Sequence, residues 1–263
     1  MERKEEERVC VTGAGGYISS WVVKLLLSKG YVVHGTVRDP RDEKKNGHLK
    51  KLEKASENLH LFKADLFDYE GLYAAIAGCT GVLHVASPVP SDNPSINPEM
   101  WYPFGKTIAE SETLEFGIRN ELNIVTICPS LVIGPNLQSS LNLSSSILLS
   151  YLKGEINTMN CRVQQLVDVR DFAEALLLLY EKPEAEGRYI CSSYTIRPEV
   201  LVEKLKAMFP HYNYPEIFIE EKGGPFDFNC KKLLDFGWKY RPLEESIVDA
   251  VKNFEESGLL VGK

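Results

Sequence analysis

The sequence has no long apolar run, only five histidines and no cysteine pair in a C-x-x-C spacing. Its longest apolar stretch, residues 175–180, is far shorter than the ~20 residues that cross a bilayer. The charged start, MERKEEERV, has no apolar centre, which argues against a secretory signal. Six scattered cysteines without metal-ligand spacing predict reduced thiols and no bound metal. We therefore expect a cytoplasmic protein.

The charge balance also excludes some partners. The formal net charge is -7 and the isoelectric point is about 5.4. A general affinity for nucleic acid or for an anionic membrane is not expected from such a chain. A small-molecule substrate is the expected partner, and the sequence leaves the choice between monomer and dimer open.

Apolar segments alternate with helical patterns through the first half of the 263 residues. This alternation predicts an α/β fold, a Rossmann-type doubly wound parallel sheet. Residues 1–135 form the expected nucleotide-binding domain, and residues 136–263 a mixed part with a small substrate-facing subdomain. Strands are predicted at residues 9–13, 31–38, 59–66, 81–87, 123–129, 162–167, 187–191 and 216–220. Helices are predicted at residues 17–28, 42–55, 69–77, 102–119, 144–153, 169–181, 197–209 and 243–256.

A glycine-rich turn follows the first predicted strand. It reads TGAGGYIS and contains Thr12, Gly13, Gly15, Gly16, Tyr17 and Ile18. Glycines allow the backbone to approach a pyrophosphate, and the N-terminus of the next helix attracts the anion. By itself the pattern also fits an ordinary strand-to-helix turn. Its place between the first strand and the first helix favours a dinucleotide site.

The end of the second predicted strand bears on the choice of cofactor. Arg38 there matches a phosphate with its forked donors, and Lys44 and Lys45 follow shortly after. This arrangement favours NADP(H). The alternative is that Asp39 binds a ribose hydroxyl, as the acid of an NAD site does, while Arg38 faces solvent. Asp65 and Leu66, at the end of the third strand, are expected to flank the adenine, although Asp65 also fits an ordinary strand-end acid.

Tyr102 and Lys106 form a Y-x-x-x-K pair on one face of a predicted helix. A tyrosine donates a proton well only if its pKa, about 10 when unperturbed, is lowered, and a nearby ammonium does this. The composition produces about one such spacing by chance, so the spacing alone decides nothing. Its position on a helix after a Rossmann half makes Tyr102 and Lys106 catalytic candidates.

Several motifs together resemble a known family. They are TGAGGYIS, HGTVRDP, LHLFKADLFD, VLHVASPV, WYPFGKTIAE, CPSLVIGP, LVDVRDFAEALLLLYEKPEAEGRYICSS and GWKYRPLEESIVDA. Across nearly the whole chain they resemble the extended short-chain dehydrogenase/reductases of plants, in the group that includes cinnamoyl-CoA reductase-like and dihydroflavonol reductase-like enzymes.

The resemblance implies NADPH-dependent reduction of a carbonyl or CoA-thioester carbonyl of a phenylpropanoid- or flavonoid-like substrate. It implies that Tyr102 is the proton donor and that Lys106 is its partner. It also implies cofactor contacts at Val85, Ala86, Ser87, Pro129, Ser130 and Val132.

Two features depart from the family pattern. The segment before the tyrosine reads Pro98-Glu99-Met100-Trp101, whereas the corresponding segment of cinnamoyl-CoA reductases resembles K-N-N-W. The identity of the substrate therefore stays open. The family also has a helix and a strand ending in a catalytic serine between the fourth strand and the tyrosine helix, whereas this chain has only residues 88–101 there. The spacing indicates an internally shortened domain. No serine matches the lost one, because Ser139, Ser140 and residues 144–146 fit loop and helix-capping roles.

Such a loss allows two outcomes. Residues 123–129 could pair directly with residues 81–87, which would shift the tyrosine helix by about one strand spacing, ~4.8 Å. Alternatively the helix stays in place and both strands lose a neighbour, which we expect to be less favourable because backbone groups lose partners. Either outcome should impair hydride transfer, since catalysis tolerates a misplacement of only ~1 Å.

Two other functions stay open. One is a catalytically silent NADP(H)-binding protein, which the absent serine supports. The other is a nucleotide-sugar epimerase or dehydratase, against which Arg38 and the segments CPSLVIGP and EGRYICSS argue. His84 lies in an apolar strand and is interpreted as a packed core histidine rather than a base.

Overall fold

The computed structural model describes residues 7–87, 98–154, 158–160, 163–219 and 228–260, with only the backbone described for residues 98–101 and 158–160. The loop predicted at residues 89–98 lies outside the described residues except for its last position. The strands are β1 Arg8–Val11, β2 Val32–Val37, β3 Leu59–Lys63, β4 Gly81–Leu83, β5 Val125–Pro129, β6 Leu131–Ile133, β7 Thr158–Asn160, β8 Gln164–Asp168, β9 Gly187–Cys191, β10 Tyr194–Ile196 and β11 Ile217–Ile219. The helices are α1 Tyr17–Lys29, α2 Glu43–Lys50, α3 Ala55–Asn58, α4 Tyr69–Ile76, α5 Pro98–Arg119, α6 Leu143–Lys153, α7 Val169–Glu181, α8 Pro198–Met208, α9 Lys231–Asp235 and α10 Leu243–Glu256.

The first half forms a parallel four-stranded sheet in the order β3-β2-β1-β4. This order confirms the Rossmann-type fold. The central strand β1 is apolar, and Val9, Cys10 and Val11 are fully buried. Helix α1 packs its apolar face, which includes Val22, Val23, Leu26 and Leu27, into the same core.

Some predicted boundaries were wrong. Strand β4 ends at Leu83 rather than at residue 87, and β3 ends at Lys63 rather than at residue 66. At these ends the backbone leaves the ladder to form the rim of the site. The helix predicted at residues 42–55 is broken into α2 and α3, because Lys54 adopts a left-handed backbone conformation (φ 61°).

The second half contains three smaller sheets, ordered β10-β8-β6, β5-β9 and β11-β7. Strands β6, β7 and β10 and helix α9 were not predicted, because they are short or follow closely on another element. Strand β5 pairs in parallel with β9, in a register that matches Val125 with Gly187 and Pro129 with Cys191.

The parallel sheet is split between β4 and β5. Among the described strands β4 pairs only with β1, and β5 pairs only with β9. The expectation that β5 would pair directly with β4 was therefore wrong. No β5 residue is fully buried, so water reaches this edge and can satisfy backbone groups that we had expected to lack partners.

Helix α7 joins the two halves. Ala173 and Leu177 belong to the core of the first sheet, whereas Phe172 and Leu179 belong to a second core with β6, β8 and β9. The helix also packs along α1. Burial of about 25 cal/mol per Å² of apolar surface along α7 holds the halves together although their strands do not pair.

A third core lies in the C-terminal part, where α6, α8 and α10 enclose Leu152, Leu205, Ile247 and Phe254. Asp168 caps α7, since its carboxylate accepts a hydrogen bond from the Arg170 amide at 2.8 Å. Asp168 and Asp171 also form ion pairs with Arg241, which tie α7 to the segment before α10. In the part of the chain that the structure describes, no helix is both long and apolar enough to cross a membrane.

Candidate cofactor and active site

The glycine turn has the close backbone approach that the sequence predicts. Gly13 has a φ of 63°, and a Cβ placed there would lie 3.0 Å from the Ala86 Cβ. Ser19, where the family pattern has a third glycine, donates a hydrogen bond to the Gly13 carbonyl at 2.5 Å. The amides of Tyr17 and Ile18 begin α1, where helix geometry leaves amides without intrahelical partners. The Tyr17 ring is buried, and its hydroxyl donates to the Gly134 carbonyl at 3.0 Å.

Thr12 fixes this turn to the end of β4. Its Oγ1 accepts hydrogen bonds from the amides of Val85 and Ala86, both at 3.1 Å, and lies 3.1 Å from the His84 Nδ1. Since two amides already donate to this oxygen, its own hydrogen is directed to Nδ1, which makes His84 a neutral acceptor there. The Thr12 side chain therefore holds the turn together, and the Thr12 amide donates to the Leu83 carbonyl at 3.1 Å, so the predicted cofactor contact of Thr12 stays a prediction.

Arg38 and Asp39, which follow the end of β2, differ in their exposure and in their hydrogen bonds. Arg38 is exposed. The Asp39 Oδ1 accepts hydrogen bonds from the Arg41 amide at 3.0 Å and the Arg41 Nε at 3.2 Å, and these bonds hold the Asp39 pKa below its ordinary value. Asp39 is thus occupied by Arg41, while Arg38 is exposed at the end of β2. This arrangement fits a phosphate better than a ribose hydroxyl.

Asn46 is a site residue that sequence reasoning missed. It is buried, its side-chain amide donates to the Asp39 carbonyl at 2.7 Å, and its Oδ1 would lie 2.8 Å from a Cβ at Gly15. It joins α2 to both the glycine turn and the segment after β2. Lys44 is exposed on the first turn of α2, and Lys45 pairs with Asp42 at 3.5 Å. In the sequence, the only sign of this role is an asparagine within a lysine-rich helix.

The predicted adenine-flanking residues lie on the rim after β3. Asp65 accepts a hydrogen bond from the Phe67 amide at 2.8 Å, a local turn that fits the alternative interpretation of an ordinary strand-end acid. Leu66 is 36% exposed. An apolar side chain exposed at this point is consistent with a contact to a planar ring.

Two serine hydroxyls at the carboxyl ends of β4 and β5 are buried without a protein partner. The Oγ atoms of Ser87 and Ser130 have no hydrogen-bond partner among the described residues. Such groups are rare in native structures and favour an external ligand. Pro129, the last residue of β5, is exposed, whereas Val132 is buried in a core cluster with Tyr17. The glycine turn, Arg38 and these two hydroxyls fit a bound dinucleotide.

Tyr102 and Lys106 lie in the first turns of α5 with their side chains adjacent. The Lys106 Nζ is 5.9 Å from the centre of the Tyr102 ring. Both side chains are exposed. The positive charge of Lys106 also acts on both halves of the split sheet. Desolvation is the larger cause that lowers the His84 pKa, and the charge of Lys106 lowers it further. At Cys128 desolvation raises the pKa, and the charge of Lys106 acts against that rise.

Glu110 anchors this helix, and sequence reasoning missed it as well. Its carboxylate accepts hydrogen bonds from Thr126 on β5 at 2.6 Å and from the Nε of Arg188 on β9 at 2.7 Å. These contacts hold the Glu110 pKa below its ordinary value, with Arg188 as the larger cause. Because Glu110 lies one turn after Lys106, it keeps the Tyr102–Lys106 pair on the second half of the sheet. The structure therefore adopts the second of the two expected outcomes, in which the tyrosine helix stays in place and both strands lose a neighbour.

His84 does not occupy the core position expected from its apolar neighbours, and that interpretation was wrong. It is exposed, as is Val82 two positions earlier, whereas Leu83 between them is buried. Alternate residues of a strand face opposite sides, so Val82 and His84 share the face that has no cover beside the split.

Ser139 lies in a loop, as expected, and its hydroxyl donates to the Lys44 carbonyl at 3.3 Å. The capping role expected of residues 144–146 was wrong, because the N-cap of α6 is Asn142; the hydroxyls of Ser145 and Ser146 donate to Asn142 from inside the helix. In the described part of the chain no group of three or more histidine, cysteine or acidic residues could hold a metal ion.

Comparison with known proteins shows that the chain is similar to plant reductases. The chain is 38% identical to cinnamoyl-CoA reductase 1 of Petunia hybrida over 311 aligned residues, covering 96% of this chain and 93% of the relative. It is 35% identical to tetraketide alpha-pyrone reductase 1 of Arabidopsis thaliana, over 96% of this chain and 97% of that protein. The chain belongs to this reductase family. Residues 10–102 also match a family described as GDP-mannose 4,6 dehydratase.

Solved structures agree. Vestitone reductase from alfalfa superposes with a TM-score of 0.79 at 29% identity, over 96% of this chain and 99% of that one. The fold is also shared by the yeast methylglyoxal/isovaleraldehyde reductase Gre2 in complex with NADPH, at 20% identity and a TM-score of 0.78. These likenesses confirm the predicted family and fold.

The alignment length confirms that the chain is short relative to its family. An alignment of 311 residues against a chain of 263 leaves at least 48 positions, 311 less 263, without a residue of this chain. Since the alignment covers nearly all of both proteins, these positions are internal. That number is enough for a helix, a strand and their connections.

Proposed function

We propose that this chain binds NADP(H) at the glycine turn, with Arg38 on the phosphate that distinguishes NADP(H) from NAD(H). The observation that carries the proposal is the contrast at the end of β2. Asp39 is engaged by Arg41, whereas the Arg38 guanidinium stands exposed beside the turn. An arginine fork matches a phosphate, and a ribose hydroxyl would need the carboxylate instead.

The reaction that the remaining residues support is carbonyl reduction. Bound NADPH would supply a hydride to the carbonyl carbon. The Tyr102 hydroxyl would donate its proton to the carbonyl oxygen, and the Lys106 ammonium would favour that transfer by stabilising the phenolate left behind. With a CoA thioester as substrate, these two transfers give a hemithioacetal; its carbon–sulfur bond then breaks, the hydroxyl proton passes to the sulfur, and the aldehyde and the free thiol of CoA are released.

The substrate class follows from the relatives. Cinnamoyl-CoA reductases share 36–38% identity with the chain, and bifunctional dihydroflavonol 4-reductase/flavanone 4-reductase of Malus domestica shares 34%. We therefore propose a phenylpropanoid- or flavonoid-like carbonyl or CoA-thioester carbonyl. Tyr102 is 38% exposed, so its hydroxyl is within reach of such a substrate.

Turnover is strongly impaired in this form. The resemblance places the family's catalytic serine in an internal segment, and the alignment leaves at least 48 internal positions without a counterpart in this chain. A catalytically silent NADP(H)-binding protein is the second candidate, and the split sheet is the observation that favours it.

A single-turnover experiment tests the proposal. Protein in excess over NADPH is mixed with cinnamaldehyde or cinnamoyl-CoA, and the nicotinamide absorbance is followed for hours. We expect slow oxidation that Tyr102→Phe abolishes, with Tyr240→Phe, a change in another exposed tyrosine, as the control. Binding of NADPH without any Tyr102-dependent oxidation would leave the second candidate, and no binding would overturn both.

A further inference from the structure

A loop of residues 134–140 follows β6 and is attached to the start of α1. The Gly134 carbonyl accepts a hydrogen bond from the Tyr17 hydroxyl at 3.0 Å, and the Pro135 carbonyl accepts one from the Trp21 Nε1 at 2.9 Å. Tyr17 and Trp21 lie about one turn apart in α1. The first part of the loop is therefore fixed to the helix that the glycine turn begins.

The far end of the loop reaches α2. The Ser139 hydroxyl donates to the Lys44 carbonyl at 3.3 Å, in the first turn of that helix. Two residues further on, Asn46 packs against the glycine turn, since a Cβ at Gly15 would lie 2.8 Å from the Asn46 Oδ1. Residues 134–140 thus connect the start of α1, where the pyrophosphate is expected, with the start of α2, where Lys44 is expected beside the additional phosphate of NADP(H).

Asn253 of α10 holds the middle of this loop by its backbone. The Asn253 Oδ1 accepts a hydrogen bond from the Asn136 amide at 2.9 Å, and the Asn253 Nδ2 donates to the Asn136 carbonyl at 3.1 Å. One side-chain amide thereby satisfies both backbone groups of a single loop residue. The Asn136 side chain is held as well, because its Oδ1 accepts a hydrogen bond from the Ser145 hydroxyl of α6 at 2.9 Å. The C-terminal part of the chain therefore fixes the loop at Asn136.

We propose that Asn253 is a positioning residue for the cofactor. By holding Asn136, it keeps residues 134–140 in the arrangement that sets the spacing between the first turns of α1 and α2. Because the cofactor needs both turns in place, its apparent affinity falls with the fraction of molecules in which the loop is ordered. This role rests on the proposed function, since NADP(H) must bind at these two turns.

The effect concerns the half of the cofactor that carries the adenosine phosphates. Residues 134–140 are bonded to α1 and α2, whereas Tyr102 and Lys106 lie on α5. Fragments of the cofactor therefore distinguish positioning from a general loss of stability. The fragment 2′,5′-ADP carries the adenosine with two of its phosphates, and reduced nicotinamide mononucleotide carries the other half.

Asn253→Leu removes both hydrogen bonds to Asn136 and keeps a side chain of similar size. Calorimetry should show that NADPH and 2′,5′-ADP bind more weakly by the same factor, about three- to tenfold, because the ordered fraction of the loop falls. The affinity for reduced nicotinamide mononucleotide should not change. Without nucleotide, hydrogen–deuterium exchange of residues 134–140 should be faster than in the wild type.

Ser139→Ala is a second variant, at an exposed position where folding should not be affected. It removes the bond from the loop to the Lys44 carbonyl and should weaken NADPH binding in the same direction, by about two- to threefold. The matched control for stability is Tyr214→Phe. The Tyr214 hydroxyl donates to the carbonyls of Leu205 and Phe209, on and just after α8, so its loss should lower the melting temperature and leave NADPH affinity unchanged.

Unchanged NADPH affinity in both Asn253→Leu and Ser139→Ala would overturn the positioning role. An equal loss of affinity in Tyr214→Phe, or for reduced nicotinamide mononucleotide, would also overturn it, because affinity would then follow overall stability. If the wild type binds no NADPH, the proposed function fails and this role fails with it. Binding by the wild type that the loop variants leave unchanged counts against the positioning role alone.

Discussion

Glu110 of helix α5 and Arg188 of strand β9 form a two-point ion pair, with the Arg188 Nε 2.7 Å from one carboxylate oxygen and the terminal nitrogen 2.5 Å from the other. Thr126 of β5 donates to the same carboxylate. The helix that carries Tyr102 and Lys106 is thus attached to β5 and β9, and it stays with them although the neighbouring strand is missing. This attachment explains why the sheet splits rather than closing over the gap.

Glu110→Gln should weaken that attachment. The change removes the charge and one acceptor oxygen. Because Arg188 is half exposed and solvent weakens the ion pair, we expect the free energy of unfolding to fall by about 1 kcal/mol and the melting temperature to fall by about 2–4 °C. Glu112→Gln, an exposed change on the same helix, is the control. Equal melting temperatures for the two variants would contradict the anchoring role.

The same contact predicts a pH dependence. The folded-state pKa of Glu110 lies below the ordinary value of 4.5, so its stabilising contribution is complete above that value and is lost as the pH falls through the folded pKa. The stability difference between the wild type and Glu110→Gln should therefore be constant near pH 7 and shrink below about pH 4.5. Denaturant unfolding at several pH values measures this stability difference. A difference that grows as the pH falls would contradict the predicted direction.

Thr12→Val should loosen the junction between the glycine turn and β4. The Thr12 Oγ1 accepts from two amides, and removing it leaves the amides of Val85 and Ala86 without their acceptor, at roughly 1–3 kcal/mol. Thr12→Ser keeps the oxygen and is the matched control. Thermal unfolding and NADPH titration should both separate the two variants, and identical behaviour would show that the hydroxyl has no part in shaping the turn.

Arg38→Ala should remove the preference for the phosphorylated cofactor. We expect affinity for NADPH to fall at least tenfold, a loss of about 1.4 kcal/mol or more, while affinity for NADH changes little. Lys51→Ala, another exposed cation just after α2, tests whether the effect is only one of net charge. Unchanged NADPH affinity in Arg38→Ala would favour Asp39 as the selective residue.

The sequence predicted those parts of the fold that depend on local pattern. The glycine turn, the first four strands and the family all follow from short motifs, and the comparisons and the fold confirm them. The short spacing between Ser87 and Tyr102 also indicated a lost segment correctly. Local pattern could not show which strands would pair, because that depends on a long-range contact such as the one between Glu110 and Arg188.

The wrong prediction that His84 packs in the core has the same origin. An apolar strand pattern predicts burial only if both faces of the sheet are covered, and the element that covers one face of β4 in the family is not in this chain. Asn46 was missed for the opposite reason, because its lysine-rich surroundings indicate a solvent-exposed helix while its side chain joins the turn to the segment after β2. Both errors concern residues whose environment is set by distant parts of the chain.

Thermal unfolding of the purified chain with saturating NADPH, with NADH and with neither tests the central claim, that the first half folds and binds NADP(H) despite the split sheet. Binding to the native state raises the unfolding temperature by mass action, so the account predicts one cooperative transition that NADPH raises clearly and NADH does not. The absence of a cooperative transition, or of a shift with either nucleotide, would contradict it, because the missing strand would then have removed the fold or the site.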